Sequence, residues 1–299
     1  MKILLSQIKR NSKLYFKDKG LFLTSLITPL ILLVLYSTFL SNVYKDSIIS
    51  AVPEGFKLSE NIVNGFSGAQ LISSILSVSC VTVAFCSNML MVQDKANSTI
   101  YDLSVTPIKR STLALGYYFA SLLSTLTVCL AAAVICFIYV GAVGWYLSFA
   151  DVLLLLLDVV ILVTFGVAFS SVINFFLSSQ GQISAVGTII SSGYGFLSGA
   201  YMPLSQFPEG LREALAFLPG TYGTSLMRSH SMRGIFDAIE NEGLPKEFTS
   251  ELADVFDCNI YLLGDKVGIG ASYAIVIGAT LALIGTYVAL NVFRGKKKA

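Results

Sequence analysis

Long stretches without a charged side chain are the feature of this sequence that most limits its fold. Five segments contain no Asp, Glu, Lys or Arg: 21–40, 69–93, 111–150, 159–208 and 267–293. A helix needs about 20 mostly apolar residues to cross the hydrocarbon core of a bilayer. Only 13% of all residues are charged, against about 25% in a soluble domain. The sequence therefore predicts a multi-pass membrane protein.

The two longest segments have room for more than one crossing each, so the predicted fold class is an all-α membrane bundle of six transmembrane helices. The whole chain, 1–299, forms a single transmembrane domain. Trp145 and Tyr146 favour the membrane interface, which predicts a tight turn between the third and fourth spans. The spans are predicted at 21–41, 69–92, 112–140, 152–174, 182–200 and 268–293.

Basic residues predict the orientation of the chain. Residues 1–20 carry six basic side chains and one acid, with Leu4, Ile8 and Tyr15 on one helical face, which predicts an amphipathic cytoplasmic interface helix. With both termini inside, 13 of the 20 Lys and Arg residues are cytoplasmic. Positive charges favour the cytoplasmic side. We expect a multi-pass protein of the cell membrane, in a prokaryotic plasma membrane, with both termini in the cytoplasm.

Motifs for catalysis are absent from the sequence. The phosphate-binding pattern GxxxxGK[ST] does not occur, so the chain is not expected to be an ATPase or another enzyme. No paired cysteines or Cys/His cluster indicates a metal site. The only histidine, His230, is predicted to be solvated or to cap a helix. A pore, a carrier driven by ion gradients, or the partner of a separate ATPase all remain open on these grounds.

The cytoplasmic loop 93–111, between the second and third spans, has an unusual pattern. Ile100 and Leu103 fall on one side of a short predicted helix that carries charges at both ends. Thr106 precedes a proline, and a residue in that position avoids the helical region, which would end the helix. On composition alone, an ordinary polar loop remains an alternative.

Two motifs, in order along the chain, resemble the permease (membrane-spanning) subunits of the type-two ATP-binding-cassette exporter family. The first runs over 94–110 as acid–basic–x–x–Ser–Thr–Ile–x–x–Leu–x–x–Thr–Pro–Ile–x–Arg, and Leu-Gly at 115–116 then opens the next span. The second contains LSGAYMPLSQFP at 197–208, FLPGTYG at 217–223 and Met-Arg at 227–228. With the six predicted spans, the resemblance covers nearly the whole chain.

This resemblance implies a dimeric pore in which each permease binds a cytoplasmic ABC ATPase subunit. ATP and Mg would be bound by that subunit, with no cofactor on this chain. The resemblance implies that the loop 93–111 is the coupling contact. It also implies that 201–267 is an external region with two short re-entrant helices, and Pro208 and Pro219 fit the start and end of the first. The sequence departs from the family pattern in an acidic insert at 231–266 that is longer than in many relatives, either a variable decoration or a substrate-selecting lobe. The implied contact residues are Asp94, Lys95, Ile100, Asp102, Leu103 and Thr106.

Two further sets of residues are candidates for packing or transport. Small residues recur at every fourth position of the fifth span, which lets helix backbones approach closely. Packing within one subunit and a dimer contact beside the pathway are both possible, and the resemblance favours the dimer. Asp158 is the one acid well inside a span, and it either bonds nearby hydroxyls or lines the pathway. The small residues are Gly187, Ser191, Gly195 and Gly199.

The sequence therefore predicts the transmembrane subunit of an ATP-dependent exporter. Its expected partners are an ABC ATPase, a second permease copy or paralogue, and the lipid bilayer, with no nucleic acid. The main alternative is a secondary transporter or channel driven by gradients. A membrane receptor or immunity protein that senses a ligand is a third. The sequence does not distinguish drugs, peptides, lipids and glycans as substrates.

Overall fold

Helices make up nearly all of the computed structural model, which describes residues 2–53, 55–105 and 108–296. A π-helical segment, Tyr36–Leu40, joins the helices Lys19–Leu35 and Ser41–Ala51, so that one continuous helical stretch runs from residue 19 to residue 51. The helices in chain order are α1 (Lys2–Lys17), α2 (Lys19–Leu35), α3 (Ser41–Ala51), α4 (Glu60–Ser87), α5 (Met89–Ala96), α6 (Thr99–Val105), α7 (Arg110–Val143), α8 (Phe149–Phe176), α9 (Gln180–Leu197), α10 (Glu209–Ala216), α11 (Pro219–Asn241), α12 (Lys246–Val255) and α13 (Ile269–Lys296).

Five helical stretches of the described chain are long and apolar enough to cross a membrane. Predicted spans one to four and six each correspond to one of them, although the first continues to Ala51 rather than ending at 41. The fifth predicted span, 182–200, corresponds to α9, which is not among the five. The count of six spans therefore stays a prediction. The five stretches are Lys19–Ala51, Glu60–Ala96, Arg110–Val143, Phe149–Phe176 and Ile269–Phe293.

Helix α4 forms the centre of the bundle. It packs against α2, α3, α7, α8, α9 and α11, and almost every one of its residues is buried. Small and hydroxyl-bearing side chains allow this burial because they bring neighbouring backbones close. Ser73 and Thr82 donate hydrogen bonds to carbonyls of α4 itself, to Gln70 O at 2.9 Å and to Val78 O at 3.0 Å.

Helix α1 packs against α7, and the predicted face is correct. Tyr15 is buried, Leu4 and Ile8 are half-buried, and polar Gln7 and Asn11 are buried on the same side. That face contacts a protein helix, and the location of α1 at the membrane surface stays a prediction. The structure also leaves apolar side chains of α1 exposed on other sides: Ile3, Leu5, Leu14 and Phe16.

The turn between α7 and α8 is as short as predicted, because only residues 144–148 separate the two helices. Ser148 begins α8 in a reciprocal capping arrangement. Its hydroxyl accepts a hydrogen bond from the amide of Asp151, and the Asp151 carboxylate accepts one from the amide of Ser148. Such a pair satisfies amides that the first helical turn leaves without partners.

The connecting region, residues 198–268, differs from the expectation of two short helices. Helix α10 is short, and Pro208 precedes it as predicted. Pro219 does not end α10, however, but occupies the first turn of α11, where a residue without an amide hydrogen is tolerated. Helix α11 has 23 residues and packs against α4, α8 and α13, so it is neither short nor peripheral.

The acidic insert 231–266 is folded. It comprises the second half of α11, helix α12 and a β-hairpin of β1 (Ile260–Leu262) and β2 (Asp265–Val267). Leu263 and Gly264 connect the strands with φ angles of 54° and 93°, the left-handed pair that a two-residue hairpin turn requires. This hairpin is an exception to the all-α prediction, which is otherwise correct for the described residues.

Candidate functional site

The loop between the second and third predicted spans folds as two short helices, α5 and α6, where one was expected. Asn97 ends α5, and Ser98 adopts a left-handed conformation with φ of 62°, which turns the chain before α6. We call α5 and α6 together the coupling segment, residues 89–105. Thr106, the last of the predicted contact residues, lies outside the described residues.

Asp94 faces the interior of the helical bundle. Its Oδ2 atom accepts a hydrogen bond from Tyr117 at 2.5 Å and pairs with Arg10 Nη1 at 2.9 Å. Burial lowers the pKa of Arg10, but the hydrogen bond and charge of Asp94 outweigh this effect and raise the pKa overall. Asp94 therefore ties α5 to α1 and α7, and its carboxylate is engaged within this chain.

Lys95, the next residue of α5, also binds within the chain. Its Nζ atom donates to three backbone carbonyls at the end of α8, those of Asn174 at 2.8 Å, Phe175 at 2.8 Å and Leu177 at 3.1 Å. The last carbonyls of a helix have no intrahelical donor, and a cation there interacts favourably with the helix dipole. The sequence did not indicate this role, because the partners are about 80 residues away along the chain.

The remaining predicted contact residues lie on α6. Ile100 and Leu103 are half-buried and Asp102 is exposed. Because residues three apart are neighbours on a helix surface, Ile100 and Leu103 share one side of α6. This is the part of the coupling segment with apolar and acidic groups at the surface.

The small residues of α9 mostly pack within this chain. A Cβ atom at Gly195 would lie 2.4 Å from the ring of Tyr201, and Gly199 has a φ of 74° beside Leu204. Gly187 and Ser191 are half-buried, with Met89 nearest to Gly187. At Gly195 and Gly199 the chain itself folds back onto the helix, which favours the alternative of packing within one subunit, and the dimer contact stays a prediction.

A different face of α9 is open to the surroundings. Ser184, Thr188 and Ser192 are exposed and, at a spacing of four residues, lie along one side of the helix. The hydroxyls of Thr188 and Ser192 donate to the carbonyls of Ser184 and Thr188, at 2.9 and 2.8 Å. This side of α9 is less apolar than a surface that faces lipid throughout.

Asp158 joins three helices at a buried site. Its Oδ1 atom accepts a hydrogen bond from Tyr273 at 2.5 Å, and Oδ2 lies 2.7 Å from His230 Nδ1. The prediction that His230 is solvated or caps a helix is wrong, because α11 carries it into the bundle, where the carboxylate supplies the partner that a buried polar group needs. Asp158 bonds His and Tyr rather than serines or threonines.

The family of the chain follows from a comparison with protein-family models. The model described as ABC-2 type transporter matches residues 4–230, which is more than two thirds of the sequence. The chain belongs to this family. It is a membrane-spanning permease component of an ABC transporter. No curated protein and no solved structure matches it.

In this permease, sequence reasoning missed a buried ion pair. Arg228 is fully buried and donates to the carbonyls of Gly199 at 2.7 Å and Phe256 at 3.0 Å, and it pairs with Asp257 at 3.3 Å. Burial raises the pKa of Asp257, although the Arg228 charge and the amide of Leu204 oppose the shift. The sequence indicated Arg228 only as part of a family motif and did not indicate Asp257 as its partner.

Metal ligands do not converge in the described part of the permease. No group of three or more His, Cys, Asp or Glu side chains there could hold a metal ion. All five cysteines are free thiols and all are buried. Several buried or half-buried polar groups of the described chain instead bind partners across the bundle, among them Asp94, Lys95, Asp158 and Arg228.

Proposed function

We propose that this permease is the membrane-spanning subunit of an ATP-dependent exporter. Two copies, or this chain and a paralogue, enclose the translocation pathway, and each binds a separate cytoplasmic nucleotide-binding subunit that holds ATP and Mg. Both termini and the coupling segment lie in the cytoplasm of a prokaryotic cell, α9 crosses the membrane as a sixth span, and the connecting region lies outside.

The observation that carries the proposal is the arrangement of the coupling segment. Asp94 and Lys95 fix α5 to the bundle through α1, α7 and α8, while α6 keeps Ile100 and Leu103 on one side and Asp102 exposed. A short helix on a rigid base, with two apolar anchors and a flanking charge, suits a small protein interface, where a few apolar residues dominate the affinity.

The exposed side of α9 supports the dimeric pathway. A helix that faced lipid alone would gain nothing from Ser184, Thr188 and Ser192, which are exposed. Small and hydroxyl-bearing residues at helix surfaces in membranes favour close helix packing or contact with polar groups. We place this side of α9 against the second copy and the pathway.

A double substitution on α6 tests the proposal. Ile100→Ala with Leu103→Ala is expected to leave membrane insertion intact but to release the ATPase subunit that co-purifies from native membranes. Truncation of an interface anchor costs about 2 kcal/mol or more, roughly 30-fold in affinity. Ile277→Ala with Leu281→Ala, an equally truncated pair exposed on α13, is the matched control. Full ATPase retention by the α6 variant would refute the proposal.

The buried Asp158–His230–Tyr273 cluster favours one alternative, a carrier driven by a proton gradient, because ionisable groups inside membrane bundles are typical of proton relays. The two functions differ in their need for a partner. A carrier would show His230-dependent proton uptake in proteoliposomes that contain the permease alone. The exporter would show none without its ATPase.

A further inference from the structure

Lys95 holds the junction between α8 and α9. An ammonium group has three N–H donors, and the three carbonyls of Asn174, Phe175 and Leu177 lie 2.8–3.1 Å from Nζ. The Nζ atom also lies 5.5 Å from the centre of the Phe175 ring, within the range of a cation–π interaction. The end of α8 is thus capped by a side chain from the coupling segment.

The α8–α9 corner, residues 174–182, is short enough to move as one piece. Only residues 177–179 separate the two helices. Ser179 and Gln182 then begin α9 with a reciprocal capping arrangement. Few residues of α9 are buried, namely Ile183, Tyr194 and Gly195. The orientation of α9 therefore depends strongly on how its ends are held.

Helix α5 is fixed to the bundle at two further points. Asn88, at the junction of α4 and α5, donates to the hydroxyls of Ser170 and Ser171 on α8, at 2.9 and 2.7 Å. Asp94 binds Arg10 and Tyr117. Helix α5 is thereby a short rigid link, and a force applied to α6 reaches α8 through the bonds of Lys95.

We infer that Lys95 is a positioning residue that transmits movement of the coupling segment to the α8–α9 corner, and thereby to the exposed side of α9. The inference rests on the proposed function, because the ATPase supplies the movement. A lysine that only stabilised the fold would leave the response of α9 to nucleotide unchanged. One that transmits movement makes this response depend on its own three hydrogen bonds.

A thiol introduced on α9 reports the response without knowledge of the substrate. Thr188→Cys places the thiol on the exposed side, whereas the five native cysteines are buried. The permease–ATPase complex is reconstituted in nanodiscs, and the rate of modification by a water-soluble maleimide is measured without nucleotide and with ATP and vanadate. The same chain without Thr188→Cys gives the background rate.

We expect nucleotide to change the labelling rate in the Thr188→Cys parent and in Lys13→Met. Lys13 is an exposed lysine of α1, outside the coupling loop, whose ammonium group makes no hydrogen bond or ion pair in the described chain, and it is the matched control. In Lys95→Met, the ATPase should stay bound and hydrolyse ATP, but the nucleotide effect at position 188 should be lost. Should Lys95→Met fail to assemble, Lys95→Gln keeps two uncharged donors and is expected to retain a reduced effect.

Three results would overturn the inference: no nucleotide effect in the parent complex, an undiminished effect in Lys95→Met, or an undiminished effect in Lys95→Gln. Each of these leaves the proposed function standing, because the ATPase is still bound. A parent permease that binds no ATPase would instead refute the proposed function itself.

Discussion

Replacement of Arg228 should loosen the connecting region more than any exposed substitution. Arg228→Met leaves the buried carboxylate of Asp257 without its counterion and the carbonyls of Gly199 and Phe256 without their donor. Removal of one partner from a buried ion pair costs about 3–5 kcal/mol. Because Gly199 lies at the start of the connecting region and Phe256 and Asp257 lie near its end, the cost falls on its local unfolding.

Cys258 provides the assay for this change. Its thiol is buried and lies 3.7 Å from the sulfur of Met232, so alkylation requires local opening, and its rate reports the free energy of that opening. A tenfold change in rate corresponds to about 1.4 kcal/mol, so Arg228→Met should accelerate labelling by roughly 100- to 4,000-fold. Peptide mass spectrometry separates Cys258 from the four cysteines of the spans.

The double variant Arg228→Met, Asp257→Asn separates the unpaired charge from the lost packing. It removes both charges, so it is expected to label more slowly than the single variant. Labelling of Arg228→Met at the parent rate would refute the reasoning. Faster labelling in the double variant would show that the stranded carboxylate is not the source of the penalty.

Three other predictions concern the fold, a thiol and ATP. Gly195→Leu should lower the melting temperature in detergent, with an overpacking cost of about 1–3 kcal/mol, because its Cβ would meet Tyr201. Gly193→Leu has open space around it and should not lower the melting temperature. Equal losses of melting temperature in the two variants would contradict this. Burial raises the pKa of Cys258 to about 12, so at pH 9 about one native thiol in a thousand is the reactive thiolate. The labelling rate of Cys258 should therefore still increase with pH at pH 9, and a plateau of the rate below pH 9 would disprove this prediction. The isolated permease should neither bind nor hydrolyse ATP. A filter-binding assay and a phosphate-release assay on permease free of contaminating ATPases can check this.

The sequence predicts the spans well because their signal is local. An apolar run such as 111–150 identifies membrane helices without knowledge of their neighbours, and Trp145 correctly indicated the turn. Partners of polar residues are not local. Asp94 meets Arg10 across 84 residues and His230 meets Asp158 across 72, and these pairings exist only once the helices have packed.

Small-residue spacing shows the same limit. The spacing that includes Gly195 predicts that something approaches α9 closely, and this is correct. It does not identify what approaches, which is Tyr201 of the same chain. The face of α1 was likewise predictable from Leu4 and Ile8, but its contact with α7 was not, because both a lipid surface and a helix accept an apolar face.

The burial of α4 has a consequence for the order in which the protein is made. The helix is synthesised before α7, α8 and α11, which later cover it, so its hydroxyl-rich sides must first tolerate a less polar neighbourhood. Ser73 and Thr82 tolerate this stage because their hydroxyls donate hydrogen bonds to carbonyls of α4 itself, so these polar groups are satisfied without the later helices. Ser77 bonds to Thr224, 147 residues later. The central helix thus forms one of its interhelical hydrogen bonds only after most of the chain has been synthesised.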